Sequence, residues 1–585
     1  MTSPKQLYIW KTLFSLLPSA TPLKGLLVIF IWCCAQPSWG QGNGSIGTNS
    51  QQDSIRGKLT PRKRAMDVQH YDLKLWPDLV NQSLRGRVTI EYKLAAPADS
   101  FQIDLLEIWT VDTVLLNREP IGYRRNGNII LVANPKQQLN ETNIITIAYN
   151  GSPLRSRRPP WSAGFVWSQD SLGRPWIGVA CEGQGASTWW PCKDHPSDEP
   201  EKGVLITCTY PSNLMFVSNG RLIADRVLKA RPIRTTTWQV SSPINLYNVT
   251  LNLGYYTKTN TLRASNISKA KGGSNTKQQL LSIELYLLDN HKQKANAMMV
   301  ETQKMLDIFE DAFGPYPYYQ DGYKLVETPY YGMEHQSCIA YGNGFKKNAF
   351  GFDFILVHES GHEWWGNQLS AADHADLWLH ESWCTYSELV YVEQTLGKAS
   401  AFEYATNWLA KIKNQSPMQG PNHVAYNGWL DSDIYYKGAA MIMTLRLAID
   451  NDPAWQQALK TFASIAKHTP IRTETAVSYW VNVVNSLRQA NETQLSGQAT
   501  AALFAHYLRY KELPILELKQ TSTEKNHERW AARFVGVVDD FALPITCQAP
   551  NDGIAKIVIS NAWTDLGQYG APQTKGLAIK TSLVK

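Results

Sequence analysis

This 585-residue chain has no internal repeat, no cysteine framework and no strong net charge, and each absence excludes a class of protein. The lack of a repeat sets aside stacked-repeat architectures. Charge is nearly balanced, 57 Lys and Arg against 50 Asp and Glu for a net +7. Lys5, Lys11 and Lys24 fall in the first forty residues without an acid, so the remainder carries about +4 and offers no polybasic surface for nucleic acid. The basic run Arg62-Lys63-Arg64 reads as a solvated arm. Past Cys33 and Cys34 the cysteines are Cys181, Cys192, Cys208, Cys338, Cys384 and Cys547, too scattered for a disulfide scaffold in a chain that needs no staples. Cys338 and Cys384 have no paired base evident in the sequence, which argues against cysteine nucleophile chemistry. The apolar run Leu26 to Trp32 is short for a membrane span and is preceded by Pro22 and Lys24. With Ser38-Trp39-Gly40 supplying small residues beyond it, residues 1–40 read as a signal peptide. The expectation is export to a periplasmic or secreted location, with no stable membrane insertion after leader removal and an uncleaved anchor as the alternative. Residues 41–64, rich in Gly, Ser, Gln and Asn, read as a flexible tether.

What is present belongs to a folded, multidomain protein. Hydrophobic residues make up 43% and aromatics 11%, a composition that buries cores and does not remain disordered. Residues 65–288 carry short β-rich runs broken by turn residues, such as Arg87 to Tyr92 and Asn143 to Tyr149, and predict an amino-terminal β domain. From residue 289 to 512 the apolar period becomes helical, as in Ala297 to Leu306. Residues 513–585 turn β-rich again and predict a small terminal β domain. The fold class expected is multidomain α+β. A strand-like stretch between Tyr323 and Tyr341 suits an edge strand that pairs with an extended peptide.

The most informative segment is His358-Glu359-Ser360-Gly361-His362. On a helix this spacing puts two imidazoles on one face, one turn apart, where both can reach a single Zn²⁺ while Glu359 stays free to act as a base. Glu381 follows nineteen residues after His362, where an antiparallel helix would return a carboxylate to the site. A His₂Glu set leaves one zinc position open for water, the pattern of a hydrolase. Glu388, seven residues on and on the same helical face as Glu381, is placed to hydrogen-bond a ligating imidazole or to sit solvated.

These residues resemble, position by position, the zinc gluzincin aminopeptidase family that includes membrane alanyl aminopeptidase and leukotriene hydrolase. The zinc helices carry Glu363-Trp364-Trp365-Gly366-Asn367 and Trp378-Leu379-His380-Glu381-Ser382-Trp383. Tyr331-Gly332-Met333-Glu334-His335 is similar to the family's G-x-M-E-N signature. Tyr435-Tyr436-Lys437-Gly438-Ala439 is similar to its Y-x-K-G-A, and Cys181-Glu182-Gly183-Gln184-Gly185-Ala186 to its second amine-binding block. Asp67 to Leu73 resembles its first strand.

The resemblance implies a thermolysin-like helical catalytic domain and one Zn²⁺ per chain on His358, His362 and Glu381. It implies Glu359 as base, Tyr435 as oxyanion donor with Tyr436 competing for that role, and Glu182, Gly332, Met333 and Glu334 as substrate-binding residues. The implied activity is a zinc aminopeptidase acting on peptides with a free N-terminus, as a monomer, in a short form without the family's large helical carboxy-terminal domain. A zinc endopeptidase, an epoxide hydrolase and a catalytically silent binding homologue are the alternatives. The chain departs from the family at Tyr331 and His335, which replace Gly and Asn, at His380, which replaces Asn, and at Ser382-Trp383, which replace Gly-Phe. A side-chain preference at the cleaved residue does not follow from a pocket altered in this way.

Overall fold

The structure is a computed structural model that describes residues 51–584 apart from 135–137, 229, 265–279, 426–430, 466–467, 525–526, 549–553, 568 and 571. The expected leader and the first ten residues of the expected tether lie outside the described residues. No described helix is long and apolar enough to cross a membrane.

Alternating apolar residues build the amino-terminal β domain. Strand Met66–Asp78 sends Val68, Tyr71, Leu73 and Leu75 inward. It pairs antiparallel with Ser83–Leu94 and parallel with Val204–Pro211 inside an eight-stranded sheet. The period of two gives each strand one core face, and Val88, Ile90, Ile145 and Ile147 complete that core. A second sheet contains Pro175–Ala180, whose carboxyl end delivers Glu182.

A third sheet joins strands on both sides of residue 288. Leu280–Leu288 pairs antiparallel with Tyr256–Ala264 and parallel with Tyr323–Glu327, and Ile339–Tyr341 and Gly332–Met333 follow. Parallel neighbours need a long crossover, and helix α3 (Ala295–Phe313) lies in it. Two strands expected in the amino-terminal domain are therefore hydrogen-bonded into the sheet of the catalytic region. Gly332–Met333 forms the edge of that sheet, where the sequence predicts an edge strand.

The catalytic region is helical. Helix α4 (Phe354–Gly361) starts at Asp353, whose side chain accepts from the Leu356 N–H at 3.3 Å, a standard N-cap. Helix α5 (Trp378–Leu396) is buried from Trp378 through Val392, as expected for a helix apolar on most of its circumference. Trp383 stacks on Trp365 at 5.3 Å and on Trp480 at 5.5 Å. That aromatic stack accounts for a tryptophan where the family has Phe. Helix α6 (Lys398–Leu409) leads on to helix α7 (Asp433–Ile449). Helix α7 crosses α5 so closely that a Cβ on Gly438 would lie 1.8 Å from Ser382 Oγ. The Ser382 hydroxyl donates to the Ile434 carbonyl at 2.6 Å. Helices α8 (Asp452–Ser464), α9 (Thr473–Gln489) and α10 (Gly497–Arg509) complete the region.

Strands from Ile515 to Val584 make the small terminal β domain. It docks on α7 and α10, with Lys556 Nζ donating to the Leu447 carbonyl at 2.9 Å and the Tyr507 hydroxyl to the Ala578 carbonyl at 2.7 Å. All six described cysteines are buried free thiols.

The segment expected as a tether is ordered where it is described. Residues 51–64 form two short helices, α1 (Gln51–Gly57) and α2 (Pro61–Arg64). Thr60 caps α2 by accepting from the Lys63 N–H at 3.2 Å, with Pro61 at its first position. Nor is the basic run wholly solvated. Lys63 is fully buried against Asp104, with Nζ to Oδ2 at 2.7 Å. Composition misled here because Gly, Ser and Gln content reports local preference, while burial of one Lys–Asp pair is a tertiary event. Removing one partner of a buried ion pair strands the other charge, so Lys63→Ala should cost about 3–5 kcal/mol, measured as the shift in the urea unfolding midpoint. A loss below about 1 kcal/mol, the range of exposed pairs, would contradict the burial.

Candidate metal centre and amine site

Helix α4 presents His358 and His362 on one face, ring centroids 5.0 Å apart. Each ring is held from behind. His358 Nδ1–H donates to Glu388 Oε1 at 2.7 Å, and the other Glu388 oxygen accepts from the Tyr404 hydroxyl. His362 Nδ1–H donates to the Trp365 carbonyl at 2.8 Å. With both protons on Nδ1, the Nε2 lone pairs point the other way, to Glu381 Oε2 at 3.4 and 3.5 Å.

Glu381 comes from the first turn of α5 and is buried. Its Oε1 accepts from the Tyr435 hydroxyl at 3.0 Å, while Oε2 has no hydrogen-bond donor. Burial alone would raise its pKa, yet His362 and His358 hold it well below the carboxylate range. Two imidazole nitrogens and a carboxylate oxygen thus converge on one point, where a shared proton or a metal cation is needed to hold them together out of water. Atoms about 2.0–2.1 Å from a shared tetrahedral centre lie roughly 3.4 Å apart, the separation seen here. The residues fit Zn²⁺, with Glu388 and Trp365 orienting the imidazoles as outer partners of metal sites do.

Cys384 Sγ also comes within 4.8 Å of a nitrogen of each imidazole. Its thiol donates to the His358 carbonyl at 2.7 Å, and burial raises its pKa. A neutral thiol engaged in helix packing competes poorly with an ionised carboxylate, so Glu381 is the better third donor.

Glu359 faces the same cluster, with a carboxylate oxygen within 4.8 Å of a His362 ring nitrogen and a Glu334 oxygen. Its Oε1 lies so near the edge strand that a Cβ on Gly332 would approach it to 2.4 Å. Burial pushes Glu359 up to about 8 against the opposing pull of His358 and His362. A divalent cation beside it would act in the same sense as the imidazoles, toward ionisation.

The two expected amine-binding carboxylates meet from different domains. Glu182, half-buried, and Glu334, buried, lie with a ring nitrogen of His380 inside 4.8 Å of one another. Glu334 Oε1 accepts from the Tyr247 hydroxyl at 3.0 Å, and its backbone carbonyl accepts from Asn367 Nδ2 at 3.0 Å. Burial raises both pKa values, and mutual repulsion adds to it at Glu182. Like charges brought together out of water ionise together only when a cation joins them.

The departures from the family pattern have structural answers. His380 Nε2 accepts the Ala371 N–H at 2.9 Å, so a neutral ring carries its proton on Nδ1, and burial pushes its pKa down to about 3. It stacks against Tyr247, 6.5 Å away, and stands outside the His358, His362 and Glu381 set. His335 is fully buried and likewise pushed down to about 3. Tyr331 is half-buried, its phenol pushed up to about 12 by burial and by Asp353, Glu359 and Glu388. Of the adjacent tyrosines, Tyr435 reaches Glu381, whereas Tyr436 packs under the Lys411 ammonium at 4.7 Å.

The structure brings the Gly332–Met333 strand, Glu334, Glu182, Glu359, Tyr435, His358, His362 and Glu381 together. The Tyr247 hydroxyl and the Trp365 carbonyl were not foreseen. A tyrosine 87 residues before Glu334, in the β domain, and a backbone oxygen leave no local signal.

Comparison with known proteins agrees with this geometry. Residues 297–496 match the model of the peptidase family M1 domain, and residues 67–247 that of the peptidase M1 N-terminal domain. Aminopeptidase M1-B of Oryza sativa subsp. japonica is 21% identical over 440 residues, covering 69% of this chain and 46% of that protein. Endoplasmic reticulum aminopeptidase 1 of Mus musculus is 22% identical over 460 residues, covering 74% and 47%. The chain thus spans about half the length of these relatives. Among solved structures, an M1 zinc metallopeptidase from Deinococcus radiodurans superposes with a TM-score of 0.63 at 22% identity, over 77% of this chain and 95% of that one. With both of its successive domain models matched in order, the chain belongs to peptidase family M1.

Proposed function

We propose that the protein is a zinc-dependent aminopeptidase that releases the first residue from peptides with a free α-amino group. The observation that carries this is the pairing of two sites on one edge strand. Glu334, which with Glu182 forms a cation-seeking carboxylate pair, stands two residues from Gly332, which lies against Glu359. A chain end held by its ammonium therefore presents its first peptide bond, and no later one, to the base.

His358, His362 and Glu381 would hold the metal, and Zn²⁺ there would supply Lewis-acid polarisation of the scissile carbonyl and a lowered pKa for water. Glu359 takes the proton of the attacking water on its carboxylate and returns it to the leaving nitrogen. The Tyr435 hydroxyl, which donates to Glu381 Oε1 in the resting protein, turns its proton toward the oxygen of the tetrahedral intermediate as charge develops. Gly332 leaves room for Glu359, and the backbone of Gly332 and Met333 at the sheet edge offers main-chain hydrogen bonds to an extended substrate. Glu182 and Glu334 bind the ammonium. An internal segment or an acetylated terminus would leave them buried without a counter-charge, which supports an exopeptidase over an endopeptidase. The leader-like residues 1–40 support export, and on this reading the exported chain begins near Gln41.

Glu381→Ala should lose zinc by elemental analysis, while Glu359→Gln should keep zinc and lose most turnover because only the proton acceptor is removed. Full zinc in Glu381→Ala would displace Glu381 from the metal.

Tyr435→Phe removes one oxyanion donor and should lower kcat by roughly two to three orders of magnitude with little change in KM. The Tyr436→Phe variant is the control, and a crippled control with an active Tyr435→Phe would reverse the assignment.

Glu334→Gln keeps the shape but not the charge. Its kcat/KM on free-amino substrates should fall by roughly 2–4 kcal/mol with zinc retained. Near-normal rates, or acetylated peptides cut as fast as free ones, would reduce the assignment to zinc peptidase alone.

A further inference from the structure

The ordered segment ahead of the first strand touches the Glu182 side of the amine site and, opposite it, residue 425 of the catalytic region. Arg56, 3% exposed, donates from Nη1 to Ser187 Oγ at 3.2 Å and from Nη2 to the Ala425 carbonyl at 3.3 Å. The Asp53 carbonyl accepts the Ala425 N–H at 3.1 Å, so the contact is two-sided. Ser187 lies in the short 3-10 helix Ala186–Thr188, which directly follows the Cys181–Gly185 turn that carries Glu182. The Cys181 carbonyl accepts from the Gly185 N–H at 2.7 Å, and Asp194 accepts from the Ala186 and Ser187 N–H groups at 3.2 and 2.9 Å. Lys63 holds Asp194 in turn, donating from Nζ to its carbonyl at 3.1 Å while paired with Asp104. Asp104 Oδ2 accepts the Asp194 N–H at 3.1 Å.

The opposite wall is tied in by one more link. Asp373 accepts the His423 N–H, at 3.2 and 3.0 Å to its two oxygens, and the Ala375 N–H at 3.1 Å, in the turn that leads into α5 and Glu381.

We infer that residues 53–65 are a strap and that Arg56 and Lys63 on it are positioning residues for the amine site. They fix the Glu182 turn of the β domain against residues 424–425 of the catalytic region. This rests on the aminopeptidase reading and extends it, since neither residue touches substrate. A guanidinium is suited to the task because its planar fork holds two acceptors at a fixed spacing. Glu182 lies on a turn of the β domain and Glu334 on a strand of the catalytic region, so their separation is set only by what joins those elements. A shift of about 1 Å there weakens grip on the ammonium before it disturbs the metal.

The test is steady-state kinetics of Arg56→Ala and Arg56→Lys in the full chain on an aminoacyl p-nitroanilide, with zinc content and Tm measured alongside. The expected result for Arg56→Ala is a KM raised roughly tenfold, kcat within about twofold and zinc unchanged, with Arg56→Lys recovering part of the loss. In a Glu182→Gln background the same substitution should add less than about twofold, because the group it positions is already gone. An unchanged KM in a folded Arg56→Ala protein, or a loss of kcat and zinc alongside the rise in KM, overturns the strap while leaving the aminopeptidase reading in place. Should Arg56→Ala fail to fold, Ser187→Ala removes the acceptor at the other end, and an unchanged KM there overturns the inference equally. No turnover of any free-amino substrate by the unsubstituted protein overturns both readings.

Discussion

An excess of buried negative charge governs this molecule. Glu334, Glu359, Glu381 and Glu388 are buried and Glu182 is half-buried around two imidazoles, an arrangement that water-free surroundings penalise severely unless cations enter it. Two positions satisfy the excess. One is the meeting point of the His358, His362 and Glu381 lone pairs, suited to a divalent metal. The other is the gap between Glu182 and Glu334, suited to an ammonium. The proposed function assigns the first position to the cofactor and the second to the amino end of a peptide.

The backbone around the site is arranged for close approach. At Gly332 a methyl group would meet Glu359, and at Gly438 it would meet Ser382. The first contact lets the edge strand lie against the base. The second lets α7 cross α5 closely enough for Tyr435 to reach Glu381. Both glycines belong to motifs usually noticed for their neighbours, yet their lack of a side chain sets the distances over which those neighbours act.

The site is also a joint product of two domains. Helices α4 and α5 supply the metal donors, whereas Glu182 and Tyr247 come from the β domain, and Tyr247 orients Glu334 on the sheet edge. The amine pair is consequently only as well placed as the domains are, which gives physical meaning to the buried Arg56 and Lys63 contacts at their junction.

Much of this was legible before any coordinate. A spacing of four residues on a helix decides which side chains share a face, so His358, His362 and the freedom of Glu359 followed from the sequence alone, and strand alternation and helical period marked out the three-part α+β architecture. Glu388 was readable as a residue that either reaches a ligating imidazole or sits solvated, and the fold decided for the His358 ring. Tertiary structure decided what local pattern cannot encode: that Tyr435 and not Tyr436 faces Glu381, that His380 turns to the Ala371 amide and away from the metal donors, and that Tyr247 reaches Glu334. It also folds residues 51–64, an apparent tether by composition, into two short helices with Arg56 and Lys63 buried. In each case the deciding interaction joins residues distant in the chain, and sequence spacing carries information only about neighbours that one helix or one strand places together.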